Sequence, residues 1–112
     1  FQSATVPAIE LAEMLSEVTP PQFNRVFYGC SGSDGNDTVV RLVRYFWELN
    51  GQTERQVIIS RKNAYHGSTM AGASLGGMQA MHAVGGLPIP GIEHVDQPNH
   101  YREGGSLSEE EF

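Results

Sequence analysis

Positive charge is scarce in this chain of 112 residues: seven Lys and Arg stand against thirteen Asp and Glu, for a formal net charge of −6. A surface so short of cations argues against a sequence-independent grip on nucleic acid, which needs a basic face, and equally against an anionic membrane as partner. Cysteine occurs once, as Cys30, so no internal disulfide can form, and a lone thiol fits a reducing compartment. No apolar run reaches the length of a bilayer span, and no basic-then-apolar leader is present. Internal repeats and low-complexity segments are also missing. These absences together predict a cytoplasmic chain.

What is present suits a globular core: 39% of residues are hydrophobic and 18% charged, enough for one domain or part of one. The most informative stretch begins with Arg25-Val26-Phe27-Tyr28-Gly29-Cys30, short and apolar as a buried strand should be. A run of small residues follows through Thr38. Val39, Leu42, Val43, Phe46 and Leu49 then recur at helical spacing, and Gly51 stops that helix. Cys30, at the strand's end, is expected to be buried and to pack rather than react.

Strand, Gly/Ser loop and helix start, in that order, make an anion site. The first amides of a helix lack intrahelical partners and its dipole is positive there. Gly32, Ser33 and Asp34 amides plus a serine hydroxyl are therefore candidates to hold a phosphate, with Gly32 allowing close backbone approach. The plainer alternative is that Ser31-Gly32-Ser33 only turns the chain and caps the helix.

Elsewhere, Pro7 sits in the first turn of a helix carrying Ile9, Leu11, Ala12, Leu15 and Val18, ended by Pro20-Pro21. Gln56 to Ser60 reads as a second strand, and Ile92 to Gln97 as a short third. Between them, Ser68 to His82 is a short helix or compact loop, and Leu87-Pro88-Ile89-Pro90-Gly91 is irregular. Asn99 to Leu107 is expected to be loop. Ser108-Glu109-Glu110-Glu111 is a capping box that opens a helix. The class is α/β, a partial and mainly parallel sheet with flanking helices; about three strands leave faces uncovered, so the chain reads as part of a larger sheet, cut at both ends.

The second cluster, Tyr65-His66-Gly67, follows the Gln56–Ser60 strand, at the C-terminal edge where open α/β sheets build ligand sites. A tyrosine ring there can stack on a flat heteroaromatic ligand, with His66 available for hydrogen bonding; a Tyr-His pair simply packed under a loop is the alternative. Metal binding is not expected, because His66, His82, His94 and His100 lack ligand spacing and Cys30 has no neighbouring cysteine. Asp96 reads as a loop anchor and the Glu109 to Glu111 run as a solvated first turn. A rival reading is an NADP-binding domain, since Gly29, Gly32 and Gly35 follow a strand and Arg61 ends the next. The spacing is not G-x-G-x-x-G, however, and no acidic residue ends that second strand.

Taken together, Ser31-Gly32-Ser33-Asp34, Asn36-Asp37-Thr38, Arg41, Tyr45-Phe46-Trp47, Gly51, Ile59, Arg61, Tyr65-His66-Gly67-Ser68-Thr69, Gly72, Ser74-Leu75-Gly76-Gly77, Met81-His82 and Leu87-Pro88-Ile89-Pro90-Gly91 resemble a class III aminotransferase. Within that class the chain is similar to the ω-aminotransferases acting on amines or ω-amino acids. The resemblance implies a fold type I enzyme with pyridoxal 5′-phosphate as cofactor, residues 1–112 matching the N-terminal part of its large domain. It implies that Gly32 and Ser33 bind the cofactor phosphate, that Asp34 contributes at the helix start, and that Tyr65 stacks on the pyridine ring with His66 beside it. An amino group would pass from an amine or ω-amino acid donor to a keto-acid acceptor such as pyruvate, in a homodimer.

Two positions depart from the family's usual pattern, Asp34-Gly35 where many relatives carry Glu-Ala, and Cys30 where Asn is common. The family's catalytic lysine lies well downstream of the matched segment. Lys62, the one lysine here, does not match it, so the 112 residues alone are expected to be catalytically inactive.

Overall fold

The computed structural model describes residues 4–112. Its elements are α1 (Val6–Val18), α2 (Gly32–Leu49), β1 (Ile58–Arg61), α3 (Met70–Leu75), α4 (Gln79–His82), β2 (Ile92–Val95) and α5 (His100–Glu103).

Helix α1 starts as its proline predicts, with Pro7 in the first turn, where a missing N–H costs nothing. It ends on Thr19, whose amide and hydroxyl both donate to the Leu15 carbonyl at 3.1 and 2.9 Å. None of its residues is buried. Its tie to the following segment is the Tyr28 hydroxyl, which donates to the Ala8 carbonyl at 2.7 Å.

The expected strand over Arg25–Cys30 does not form. Strand character is completed by a ladder, and no described segment pairs with these residues; Phe27 and Tyr28 are exposed. Cys30 is likewise exposed rather than buried, because the layer that would cover a strand end is not supplied by the described residues.

The expected loop of small residues is instead the first two turns of α2, which starts at Gly32. Ser31 is the N-cap, its Oγ accepting from the Asp34 amide at 3.1 Å, while Asp34 Oδ2 accepts from the Cys30 amide at 3.0 Å. The Ser31 cap, with the Asp34 carboxylate taking the Cys30 amide just before it, nucleates the helix despite Gly32, Gly35 and Asn36, each a poor helix former. At the other end Gly51 takes φ +71°, the Gly51 amide donates to Glu48 and the Gln52 amide to Trp47, a Schellman stop.

Strands β1 and β2 pair in parallel, with Ile58 opposite Ile92 and Arg61 opposite Val95. Helices α3 and α4 lie in the crossover between them, and α3 packs on α2 and β1. The small core lies here: Val40 on α2, Ala73 and Ser74 on α3, and Ile92 on β2 are buried. Small residues make the close packing possible, as a Cβ on Gly77 would collide with the Arg61 carbonyl and come within 2.5 Å of the Lys62 Cα. The Asn99–Leu107 segment, expected as loop, contains the single turn α5 closed by the Gly104 amide on His100. Residues 108–112 make one turn in which the Ser108 amide and hydroxyl both donate to Glu111 Oε2, at 3.0 and 2.7 Å.

The radius of gyration is 18.1 Å, against about 13 Å for a self-contained chain of this length. Among the described residues no helix is long and apolar enough to cross a membrane.

Candidate functional site

The loop after β1 folds back onto the start of α2. Gly32, Ser33, Asn36, Tyr65, His66 and Gly67 together line a cavity of about 390 Å³, so four of the five candidate residues meet in one place. Asp34 is the exception, its carboxylate turned back to the Cys30 amide. The four leading amides of α2 divide evenly. Those of Asp34 and Gly35 are taken by the Ser31 hydroxyl and carbonyl, at 3.1 and 3.0 Å. Those of Gly32 and Ser33 have no acceptor among the described residues, and both residues face the cavity. Two free amides and the positive end of an 18-residue helix are an anion seat.

Gly32 itself is helical, and a Cβ added there would meet nothing within 4 Å. The space it leaves belongs to the cavity, and its backbone is not in the left-handed region. The steric demand falls on Gly67 instead. Gly67 has φ +127°, and a Cβ there would lie 2.9 Å from the Ser33 Cα and 2.5 Å from its Oγ. Only glycine lets the Tyr65 loop approach the helix terminus this closely. The Ser68 amide then donates to Ser33 Oγ at 3.2 Å, which leaves the hydroxyl proton of Ser33 to donate to a bound anion.

Tyr65 is 65% exposed, so its ring presents an open face, and His66 is half-buried. Asn36 Nδ2 donates to the His66 carbonyl at 2.6 Å. Asn36 and Gly67 complete the cavity, yet neither was singled out as a ligand-site residue from sequence. The available signals were the polar Asn36-Asp37 pair at the start of a helix and a glycine directly after Tyr-His.

Lys62 lies elsewhere. Its Nζ is 2.6 Å from Asp96 Oδ1, bridging the ends of β1 and β2 as the loop anchor expected of Asp96. The hydrogen bond and charge of Asp96 raise the ammonium above its ordinary pKa. A protonated lysine outside the cavity is not a nucleophile for a ligand inside it. Glu111 is shifted the other way, its carboxyl held below the ordinary range by the Ser108 amide and hydroxyl. No group of three or more metal-ligating side chains occurs among the described residues.

With that geometry in view, the family model "Aminotransferase class-III" matches residues 2–111. The chain belongs to that family. Among its relatives is the putrescine–pyruvate aminotransferase of Pseudomonas aeruginosa, 53% identical over 112 residues, which cover all of this chain and 25% of that protein. The diaminobutyrate–2-oxoglutarate transaminase of Halomonas elongata is 39% identical over 109 residues, covering 95% of this chain and 23% of its own. Among solved structures, the (S)-enantioselective ω-transaminase of Thermomicrobium roseum superposes with a TM-score of 0.86 at 39% identity, over 96% of this chain and 24% of that one. The chain thus spans about a quarter of the length of the curated relatives it matches, and the α/β class expected from sequence agrees with these neighbours.

Proposed function

We propose that this chain is the N-terminal part of the pyridoxal-phosphate-binding large domain of a transaminase that moves an amino group from an amine or ω-amino acid to a keto acid such as pyruvate, acting as a cytoplasmic homodimer. The observation that carries the reading is the pair of unpartnered amides, Gly32 and Ser33, facing Tyr65 across one cavity. A phosphate fits the amides and the Ser33 hydroxyl; a planar pyridine fits the open Tyr65 ring.

Pyridoxal phosphate, when bound, supplies the electron-accepting ring on which an amino group changes carrier. The chain's own residues bind and orient. Gly32 and Ser33 would hold the phosphate through backbone N–H and hydroxyl donors, Tyr65 would cover a ring face and keep water from it, and His66 would be available for hydrogen bonding. Asp34 contributes through the helix start, where its amide donates to the Ser31 hydroxyl and its carboxylate accepts from the Cys30 amide. Transfer needs a lysine at the ring, and Lys62 is held by Asp96 outside the cavity. The 112 residues alone are therefore predicted to bind without transaminating.

The test begins with the denatured intact mass of the purified material, which is 12.2 kDa for this chain alone. Pyridoxine 5′-phosphate, which lacks the aldehyde and so cannot form a Schiff base with any amine, is then titrated beside NADP. Binding of the first that inorganic phosphate competes away, with none for the second, supports the reading. Tighter binding of NADP would favour the oxidoreductase alternative. Amine-to-pyruvate turnover by a verified 12.2 kDa chain would overturn the predicted inactivity.

A further inference from the structure

Asp37 is an acidic residue one turn behind an anion seat, which is the wrong charge for affinity, since a carboxylate there lowers the positive potential of the helix start. Its contacts point to another task. Asp37 Oδ1 accepts from the Thr69 hydroxyl at 2.6 Å and from the Gly72 amide at 3.1 Å, so it grips the residues that close the Tyr65 loop and begin α3. Asn36, on the preceding position, holds the middle of the same loop through the His66 carbonyl. The loop has no slack between these points. A Cβ on Gly72 would lie 2.9 Å from the His66 carbonyl oxygen and 3.1 Å from the Gly67 Cα. Three segments, α2, the 65–69 loop and the first turn of α3, are thereby joined through two adjacent side chains.

We propose that Asp37 is a positioning residue, which sets the gap between the Gly32 and Ser33 amides and the Tyr65 ring by anchoring Thr69 and Gly72 to α2. Its consequence for binding rests on the cofactor reading above; its consequence for the loop rests on the hydrogen bonds alone. Anchoring by Asp37 makes the phosphate half and the ring half of the site one rigid distance apart, so a ligand that spans both is held better than either half separately.

The test compares Asp37→Ala and Asp37→Asn in the protein as purified, by amide hydrogen exchange and by titration with pyridoxine 5′-phosphate and with inorganic phosphate. The informative amide is Ser68, whose partner is Ser33 and not Asp37. In Asp37→Ala this amide is expected to exchange about tenfold faster, and pyridoxine 5′-phosphate to bind about tenfold more weakly, while inorganic phosphate binds as before or better. The amides of β1 keep their rates. Asp37→Asn, whose side-chain oxygen can accept the same two hydrogen bonds, restores both readouts. Unchanged Ser68 exchange overturns the proposal, and so does equal acceleration of Ser68 and β1, which would mean that Asp37 serves overall stability. If Asp37→Ala does not fold, Thr69→Val removes one of the two donors to Asp37 and is read by the same criteria. A parent protein that binds neither probe overturns the cofactor reading, and Ser68 exchange still decides the positioning role.

Discussion

Residues 4–30 are richer in apolar side chains than the stretch from Gly32 to Val95, yet the two are held in opposite ways. In the later stretch, the start of α2, the Tyr65 loop, α3 and β2 are cross-linked by side chains and enclose Val40, Ala73, Ile92 and Ser74, the last at 0% exposure. In the earlier one, α1 buries nothing, and Val6, Met14 and Val18 are 66%, 64% and 80% exposed. The part that forms the site carries its own polar scaffold; the part before it offers an apolar stripe that the described residues do not cover. Local order in this chain therefore follows hydrogen bonds between distant side chains more than hydrophobic content.

The sharpest way to break this contrast is at Gly67. Gly67→Ala forces a Cβ against the Ser33 backbone at φ +127°, with an expected cost of roughly 2–3 kcal/mol and loss of pyridoxine 5′-phosphate binding. A variant that melts and binds like the parent would show that the loop is not held where it is described. Next in size is Ser74→Ala. The Ser74 hydroxyl donates to Met70 and accepts from the Ile89 amide at 3.0 Å, and stranding that amide should cost about 1–2 kcal/mol by denaturant unfolding.

On the other side of the contrast, Leu11→Ala in α1 is expected to change stability by less than about 0.5 kcal/mol in a chain of this length, because Leu11 is 47% exposed. The same substitution in material of larger mass sharpens the comparison, since a cost of about 2–3 kcal/mol there would show that a partner segment covers the stripe.

The smallest effects concern pH. Lys62 is raised by Asp96, so its contribution is complete below the unfolded lysine pKa and disappears as pH climbs through the raised folded value. Glu111 is lowered by Ser108, so its contribution is complete above the unfolded carboxyl pKa and disappears as pH falls through the lowered one. Both groups are exposed, and Lys62→Met should remove only the alkaline drift in melting temperature. A variant that also shifts the neutral-pH melting point would assign the Lys62–Asp96 bridge a larger part.

Much of this was legible from residue patterns. Pro7 and Gly51 marked a helix start and a helix stop, and the apolar runs at Ile58 and Ile92 marked two parallel strands. Ser33 and Tyr65 were both candidates from sequence, but they meet because the loop after β1 folds onto the start of α2, not because two strands end at one sheet edge. Arg25–Cys30 misled because apolar alternatives look alike until a neighbour is present to pair with, and pairing is not written in the segment itself. The start of α2 was misplaced because propensity weighs Gly32, Gly35 and Asn36 one at a time, whereas Ser31 and Asp34 act as a unit. The joins from Asn36 to His66 and from Asp37 to Thr69 and Gly72 cross thirty or more residues, and no local rule reports on contacts at that range.

Arg44 bears on the site without touching it. Its guanidinium donates to the Gln56 carbonyl at 3.2 Å and to the Pro90 carbonyl at 2.8 Å, at the end of the sheet away from the cavity, where a Cβ on Gly91 would lie 2.8 Å from the Arg44 Nη2. With Ser33, Asn36 and Asp37 fixed at the other end, α2 is a strut bolted twice, about 13 Å apart at 1.5 Å per residue. A sideways slip of about 1 Å at Arg44 would swing such a strut by roughly 4° and re-aim the Gly32 and Ser33 amides. The bearing of those two amides is thus trimmed from the far end of the sheet, by one planar cation clasping two carbonyls that a single-point ammonium would not hold in the same plane.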